Sequence, residues 1–495
     1  MIEKAGEETL RPIFLWQLSL ISIIFLGSCP DNSNTPNLNF SSNIMGDFFG
    51  TDGIRGVAGQ YPLDAPTIER FGYALALELQ KRIGRTPLII LGRDTRESGD
   101  WIEAAVIRGI RTAQANFYSA GVITTPGVAY LTKILDGDAG VVISASHNPF
   151  QDNGLKVFSP SGQKMDDATE QAIEKDLQAA ASEFPPISKD DFVRDEKHEA
   201  ELQAKYFEFL RDEIGSKLDL KGLQIVLDCA NGASYLLAPD LFAELGATVL
   251  TINDDPNGRN INLDCGALHT EQLQATVVAT KADLGIAFDG DADRSLFVNA
   301  AGNLVDGDQV LFVIAEYLHA KNQLAANRVV ATVMSNLGLE LGLKKRGITL
   351  TRTNVGDKNV LDDLLKNGGS IGGEQSGHVI FPNISLAGDG MITALEVLRV
   401  MKDSGKSLGE LANGFTRYPQ IIINVKVGSK PLLNSVAPVK ELMDKLSAEL
   451  EGNGRLLVRY SGTENLARVM IEGQNAETIR NQAEEMAQVL KENLG

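Results

Sequence analysis

Ser146 lies in the stretch Ser144-Ala145-Ser146-His147-Asn148-Pro149, directly behind the apolar run Val141-Val142-Ile143. A loop leaving the carboxyl end of a buried strand is where α/β proteins place their ligands. A hydroxyl beside an imidazole can act as a nucleophile with a proton acceptor at hand, and Pro149 keeps the chain from running on into regular structure. Taken alone, this stretch reads equally well as an ordinary polar turn. A second loop, Asp289-Gly290-Asp291-Ala292-Asp293-Arg294, follows the apolar run Leu284 to Phe288. Its carboxylates alternate with small residues and can converge on one hard cation, and oxygen-only ligation suits Mg²⁺. An EF-hand would need Gly where Arg294 stands and Glu where Ala300 stands, so a calcium loop is excluded.

Two further loops carry recognition chemistry. Gly372-Gly373-Glu374-Gln375-Ser376-Gly377-His378 combines flexible backbone with a carboxylate and a hydroxyl, the acceptors and donors that sugar hydroxyls need. The overlapping Gly368-Gly369-Ser370-Ile371-Gly372 matches the spacing of a nucleophile elbow. That elbow requires a strand before and a helix after, whereas Asn359 to Lys366 in front of it reads as helix. Arg459-Tyr460-Ser461-Gly462-Thr463-Glu464-Asn465 follows the apolar Leu456-Leu457-Val458. Arg459, the hydroxyls of Ser461 and Thr463 and the backbone at Gly462 can make a phosphate cradle, with Arg468 on the next strand as a further partner; taken alone, the stretch reads better as a plain turn. Gly405-Lys406-Ser407 has Val400 where a phosphate-binding P-loop needs its first Gly, which excludes that class. Together the loops supply a nucleophile, a cation site, a sugar-hydroxyl loop and a phosphate anchor.

These loops need a scaffold, and the chain supplies one. Its 495 residues suggest three or four domains, and 43% hydrophobic against 22% charged residues is an ordinary globular balance. Short apolar runs (Leu88 to Leu91, Val141 to Ile143, Ile225 to Leu227, Leu284 to Phe288, Val329 to Ala331, Ile348 to Leu350) alternate with amphipathic stretches such as Ser98 to Ala115, where Ile102, Val106 and Ile110 share a face. That alternation predicts α/β layers. Ala181 to Glu201 reads as a polar linker entering a helix, and no short-period repeat is evident. The net charge of −19 argues against nucleic acid but not against a phosphate held by a few local cations. The three cysteines, Cys29, Cys229 and Cys265, have no CxxC spacing and suit a reducing compartment. Pro12 to Leu26 is an apolar run of signal-peptide length, but Glu3, Glu7 and Glu8 deny it a positive leader. Translation from Met45 is the expectation. The rival is an exported, noncatalytic phosphosugar-binding protein anchored through Cys29.

The ordered set of loops resembles the α-D-phosphohexomutase superfamily, and within it the bacterial phosphoglucosamine mutases, from Met45 to near the C-terminus. Phe49-Gly50-Thr51-Asp52-Gly53-Ile54-Arg55-Gly56 is similar to the start of those enzymes, and Pro256-Asn257-Gly258, Asn260-Ile261-Asn262 and Cys265-Gly266 also match that branch. Gln375 favours it over the alternative, a phosphomannomutase or phosphoglucomutase. The resemblance implies a four-domain α/β architecture: three mixed α/β domains of shared topology (45–198, 199–300, 301–418) and a smaller sheet-and-helix domain (419–495), after an extension at 1–44. It implies that Ser146 carries a phosphate and, with Asp289, Asp291 and Asp293, holds one Mg²⁺ per subunit. Lys156 is then a general acid or base, made competent by nearby cations, with His147 and His378 as alternatives. Arg55 and Arg294 offset the negative charge. Glu374 and Ser376 would bind the sugar, Gly356, Asp357 and Lys358 would also bind the substrate, and Arg459, Ser461, Gly462, Thr463 and Arg468 the phosphate that is not reacting. The implied activity interconverts glucosamine 6-phosphate and glucosamine 1-phosphate, on the route to UDP-N-acetylglucosamine, with a hexosamine 1,6-bisphosphate as primer. A cytoplasmic enzyme with a small sugar phosphate as partner, and neither nucleic acid nor membrane, is expected; a homodimer is left open. Asn465 stands where the family usually has Pro, and Lys358 where Arg is common, which keeps the charge but loses the bidentate fork.

Overall fold

The apolar runs become strands, and amphipathic stretches between them become helices. A computed structural model describes residues 48–50, 53–179, 194–461 and 465–495, all within one compact unit. The N-terminal extension and most of the polar linker lie outside the described residues.

The chain begins with β1 (Ile54–Val57), α1 (Ala65–Ile83), β2 (Leu88–Arg93), α2 (Gly99–Thr112), β3 (Asn116–Val122), α3 (Thr125–Ile134), β4 (Ala139–Ile143), β5 (Asp152–Phe158) and α4 (Asp167–Ala179). These strands form a sheet in the order β1-β5-β4-β2-β3. After α5 (Glu196–Glu208) come β6 (Gln224–Asp228), α6 (Leu237–Glu244), β7 (Thr248–Ile252), α7 (Glu271–Thr280), β8 (Leu284–Phe288), β9 (Ser295–Asn299) and β10 (Leu304–Val305), ordered β10-β9-β8-β6-β7. The third unit runs α8 (Gly307–Ala320), β11 (Arg328–Thr332), α9 (Leu337–Lys344), β12 (Thr349–Thr353), α10 (Asp357–Asn367), β13 (Gly372–Gly373), β14 (Val379–Ile380), α11 (Gly390–Ser404) and α12 (Leu408–Ala412), ordered β12-β11-β13-β14. The last unit comprises β15 (Gln420–Lys426), α13 (Ala437–Leu450), β16 (Gly454–Tyr460), β17 (Leu466–Gly473) and α14 (Ala476–Leu494). Its sheet is ordered β15-β17-β16 and is wholly antiparallel.

The first three sheets share one plan. In each, an outer strand and the next lie parallel, a third strand joins parallel, and a fourth turns back antiparallel: β3, β2, β4, β5; then β7, β6, β8, β9; then β12, β11, β13, β14. The reversal from third to fourth strand is the same topological position each time. Ser144 to Asn148 follows β4, Asp289 to Arg294 joins β8 to β9, and Glu374 to His378 joins β13 to β14. Three of the four chemistry-bearing loops are thus this one connection, repeated in backbone topology without repeated sequence. β4 and β8 are buried at every position, which fixes where their loops begin.

Local signals set the helix ends. Asp64 caps α1 by accepting from Thr67 N (3.1 Å), and Gly84 closes it with φ 71°. Asp306 and Gln309 form a reciprocal capping box on α8. Helix α2 starts one residue after Ser98 and ends at Thr112, short of the expected Ala115, because Gln114 turns left-handed at φ 58°. Ile102, Val106 and Ile110 are fully buried, as their spacing predicts. Gly405 and Ser407 cap α11 and α12 rather than cradle a phosphate. Among the described residues, no helix is long and apolar enough to cross a membrane.

Candidate active site

Ser146 is 1% exposed and sits in the left-handed region, φ 54°, which costs an ordinary side chain about 1–2 kcal/mol. Its Oγ donates to Asp289 Oδ2 at 2.6 Å and lies 3.4 Å from His147 Nδ1. The serine loop and the aspartate loop therefore meet, as the sequence requires. Their backbones can approach because position 290 is glycine: a Cβ there would stand 2.7 Å from Ser146 O. The side chain of Asn262 also reaches across, donating to Ser146 O (2.9 Å) and Asn148 O (3.1 Å).

Asp289, Asp291 and Asp293 are all buried, and each brings a carboxylate oxygen to within 4.8 Å of the others. Asp289 Oδ1 accepts from Arg294 N at 3.2 Å. Asp291 Oδ2 accepts from Thr125 Oγ1 at 2.5 Å and from Lys156 Nζ at 2.6 Å, and Lys156 also reaches Asp293 Oδ2 at 3.4 Å. Asp291 Oδ1 and Asp293 Oδ1 are buried and accept no hydrogen bond. Three buried carboxylates this close, two of them with an oxygen that accepts no hydrogen bond, suit a metal ion. The electrostatics agree. Burial, then Asp293 and Asp291, push the Asp289 carboxyl well above the usual carboxylate range. Burial opposes ionisation of Asp293 too, but Lys156, His378 and Arg294 hold it well below that range. Lys156 thus pairs with Asp291 and Asp293, and it lines one cavity with Lys164, Lys358 and His378.

His147 is drawn down to about 4, first by burial and then by Arg294 and Arg55. Its Nδ1 lies 3.1 Å from Arg294 Nη1. His378 has Asp293 Oδ1 at 3.7 Å and Asp357 Oδ2 at 3.6 Å; burial disfavours its charged form, yet these carboxylates and Glu374 raise its pKa above the ordinary value. The sugar loop locks onto the aspartate loop through Ser295 N and Gly377 O (3.2 Å), where Gly377 adopts φ 91° and a Cβ would stand 2.4 Å from Ser295 O. Glu374 Oε1 accepts from Gly356 N at 3.1 Å, and Ser376 Oγ is buried with no hydrogen-bond partner. Asp357 accepts from Lys164 Nζ (2.8 Å), and Lys358 pairs with Asp167. Asp357, Lys358 and His378 line a cavity of about 140 Å³ together with Thr125, Lys156 and Asp293.

Of the residues expected to anchor phosphate, Arg459 and Arg468 stand on the last sheet. Arg459 and Arg468 are cross-strand partners, and burial with the neighbouring Arg468 charge lowers the pKa of Arg459. Both border a cavity of about 230 Å³ with Met334, Asn424 and Met470. Two guanidinium groups sharing one concavity suit an anion. Ser461 N donates to Leu466 O at 2.8 Å, while Gly462 and Thr463 lie outside the described residues. Sequence reasoning missed Thr125, Asn262 and Lys164 as members of the site. Thr125 N also donates to Asp291 O at 2.9 Å, a contact between residues far apart in the chain that no local pattern announces.

Four phosphoglucomutase/phosphomannomutase models match the chain: alpha/beta/alpha domain I over 46–184, domain II over 204–302, domain III over 306–418 and the C-terminal domain over 422–489. A phosphoglucosamine mutase of Solibacter usitatus is 48% identical over 91% of this chain and 99% of its own length. One of Syntrophus aciditrophicus is 45% identical over 91% of this chain and 100% of its own. Among solved structures, a phosphoglucomutase/phosphomannomutase family protein of Burkholderia thailandensis matches with TM-score 0.72 at 24% identity, covering 90% of this chain and 97% of that one. An N-acetylphosphoglucosamine mutase of Aspergillus fumigatus, in complex with GlcNAc-6P and magnesium, matches at TM-score 0.58 and 19% identity over 90% of this chain and 96% of its own. These two structures share the fold. From the matched models and the full-length relatives, the chain belongs to the phosphoglucomutase/phosphomannomutase family.

Proposed function

We propose that the protein is a phosphoglucosamine mutase acting through phosphoserine at Ser146. The observation that carries this is the 2.6 Å contact between Ser146 Oγ and Asp289 within the buried aspartate cluster. It sets a nucleophilic oxygen beside a site for a hard divalent cation. Relatives at 45–48% identity bearing that name support the amino sugar.

The enzyme starts with phosphate on Ser146. The O1 hydroxyl of glucosamine 6-phosphate attacks that phosphorus, the Oγ–P bond breaks, and the hydroxyl proton passes to a group in the site. The resulting 1,6-bisphosphate turns round. Ser146 Oγ then attacks the phosphorus at C6, the leaving oxygen takes a proton, and glucosamine 1-phosphate departs. Asp289, Asp291 and Asp293, with the phosphate on Ser146, would hold Mg²⁺. When bound, the cation offsets charge on the transferring phosphoryl group. His147, Lys156 and His378 hold or move the proton, a role supported by their contacts with Ser146, Asp291 and Asp293. Arg294 and Arg55 offset the remaining negative charge. Gly356, Asp357, Lys358, Glu374 and Ser376 recognise the sugar. Arg459, Ser461, Gly462, Thr463 and Arg468 hold the resting phosphate. A hexosamine 1,6-bisphosphate primes the serine. The units proposed at 45–198, 199–300, 301–418 and 419–495 each contribute one loop, and the enzyme works in the cytoplasm where its substrate is made.

The test is turnover of glucosamine 6-phosphate, mannose 6-phosphate and glucose 6-phosphate with Mg²⁺ and a bisphosphate primer. Glucosamine 6-phosphate should give the highest kcat/KM, and Ser146→Ala should be inactive on every substrate. Preference for mannose or glucose would assign the other branch, and an active alanine variant would refute the phosphoserine scheme.

A further inference from the structure

Ser146 is held from both sides by a buried pair that the chemistry above does not use. Strand β2 lies parallel to β4 with Arg93 opposite Ile143, so the residues that follow β2 run beside the serine loop. Asp94 N donates to Ile143 O at 3.2 Å, and the side chains of Asp94 and Arg96 are completely buried. The Asp94 carboxylate accepts from Ser144 Oγ (2.6 Å), and Ser144 Oγ in turn accepts from Ser146 N (2.9 Å). Arg96 Nε donates to Asp94 Oδ2 (2.9 Å). Its other nitrogens reach the carbonyls of the loop: Nη2 donates to Ser146 O and Asn148 O, both at 2.9 Å, and Nη1 to Asp152 O at 3.1 Å and to Pro149 O.

The peptide groups on either side of the Ser146 side chain are therefore tied to one ion pair, through Ser144 on the N–H side and directly on the C=O side. This matters because Ser146 is a left-handed residue without the freedom of glycine. Such a conformation persists only where the surroundings over-determine it. It also matters because phosphoryl transfer is limited by placement: a displacement of about 1 Å costs about 100-fold. A buried arginine spent on backbone carbonyls is an expensive way to close a turn, since its desolvation is offset only when every donor is used.

We infer that Arg96, oriented by Asp94, is a positioning residue that holds Ser146 in the transfer-competent left-handed conformation. The inference rests on the phosphoserine reading of the site. Arg96 touches neither phosphate nor sugar; it acts through the backbone of Ser146 and Asn148. A single point charge cannot reproduce its fork, so lysine is not a conservative replacement.

The test uses the full-length enzyme with primer and Mg²⁺, comparing the parent with Arg96→Lys and Arg96→Ala. Each variant should lose kcat by about 100-fold, with KM for glucosamine 6-phosphate changed by less than about threefold. Methylguanidinium should restore part of the kcat of Arg96→Ala, and methylammonium should not. Unchanged kcat, a loss confined to KM, or a loss that follows the folded fraction without guanidinium rescue overturns the inference. If the alanine variant does not accumulate folded, Asn262→Ala, which removes a second donor from the same carbonyls, decides: kcat about tenfold lower at constant KM supports the inference, and parental kcat overturns it. The mass of the Ser146 peptide is read in the parent alongside. A parent that turns over without phosphate there sinks the phosphoserine reading, and this inference with it. A phosphorylated parent with unimpaired Arg96 variants sinks the inference alone.

Discussion

Lys156→Met tests whether the aspartate cluster is a charged trap waiting for a cation. Lys156 is 3% exposed, and its ammonium lies 2.6 Å from Asp291 and 3.4 Å from Asp293. Methionine keeps most of the volume and removes the charge. Without metal, the variant leaves buried carboxylates short of a positive partner, a change that costs about 3–5 kcal/mol. For cooperative units of about 150–250 residues this lowers the melting temperature by roughly 10 °C. With metal the sign reverses. Unit charges about 4 Å apart interact by about 4 kcal/mol at an effective dielectric constant of about 20. Removing the ammonium therefore relieves its repulsion of the incoming cation, and even a third of that energy makes divalent binding about tenfold tighter. The assay is a melting curve in EDTA and in excess Mg²⁺, with Mn²⁺ affinity measured by titration calorimetry. A melting temperature equal to the parent's in EDTA, together with unchanged or weaker metal affinity, would refute the reasoning.

Other outcomes follow from the same geometry. Gly290→Ala places a methyl group 2.7 Å from Ser146 O and 2.8 Å from Asn262 Nδ2, so it should part the serine and aspartate loops and lower kcat about 10–100-fold, measured in the coupled mutase assay. Arg459→Ala should raise KM for glucosamine 6-phosphate at least about tenfold and leave phosphate transfer from the bisphosphate primer to Ser146 less affected. Asp389 caps α11 and accepts from Tyr206 OH at 2.7 Å, and burial foremost raises its pKa to about 6. Its folded pKa exceeds its unfolded value, so the stability it contributes is full below about pH 4 and is lost as pH rises through about 6. Asp389→Asn, which keeps the cap, should gain stability relative to the parent between pH 4 and 7 by up to about 3 kcal/mol, read from denaturant midpoints at each pH.

The site was legible where chemistry is written in contiguous residues. Asp289, Asp291 and Asp293 alternate behind a fully apolar strand, and Ser146 follows another, so their loops could be placed at strand ends before any coordinates. The shared plan of the first three sheets was not legible from the residues. It resides in backbone pairing, and Gly372–Gly373 can occupy the strand position held elsewhere by Ala139–Ile143 because β13 is defined by its neighbours rather than its side chains. Tertiary partners were hidden for a related reason. Thr125 reads as the start of a helix, capped by Thr124, until the fold brings Asp291 against it. Arg96 reads as a polar loop residue just after a strand, and only the parallel pairing of β2 with β4 gives it four carbonyls to hold. The contact of Lys156 with Asp291 was hidden in the same way, because the sequence does not reveal that its strand faces the aspartates.

Passage of phosphate through Ser146 can be followed in a single-turnover exchange. Enzyme carrying unlabelled phosphate on Ser146 is mixed with less than one equivalent of glucosamine 6-[³²P]phosphate, quenched after one turnover and digested. If phosphate passes through Ser146, the label leaves the sugar and is found on the peptide containing Ser146, while the glucosamine 1-phosphate formed carries the phosphate that began on the enzyme. Label retained in the product, with none on that peptide, would contradict it.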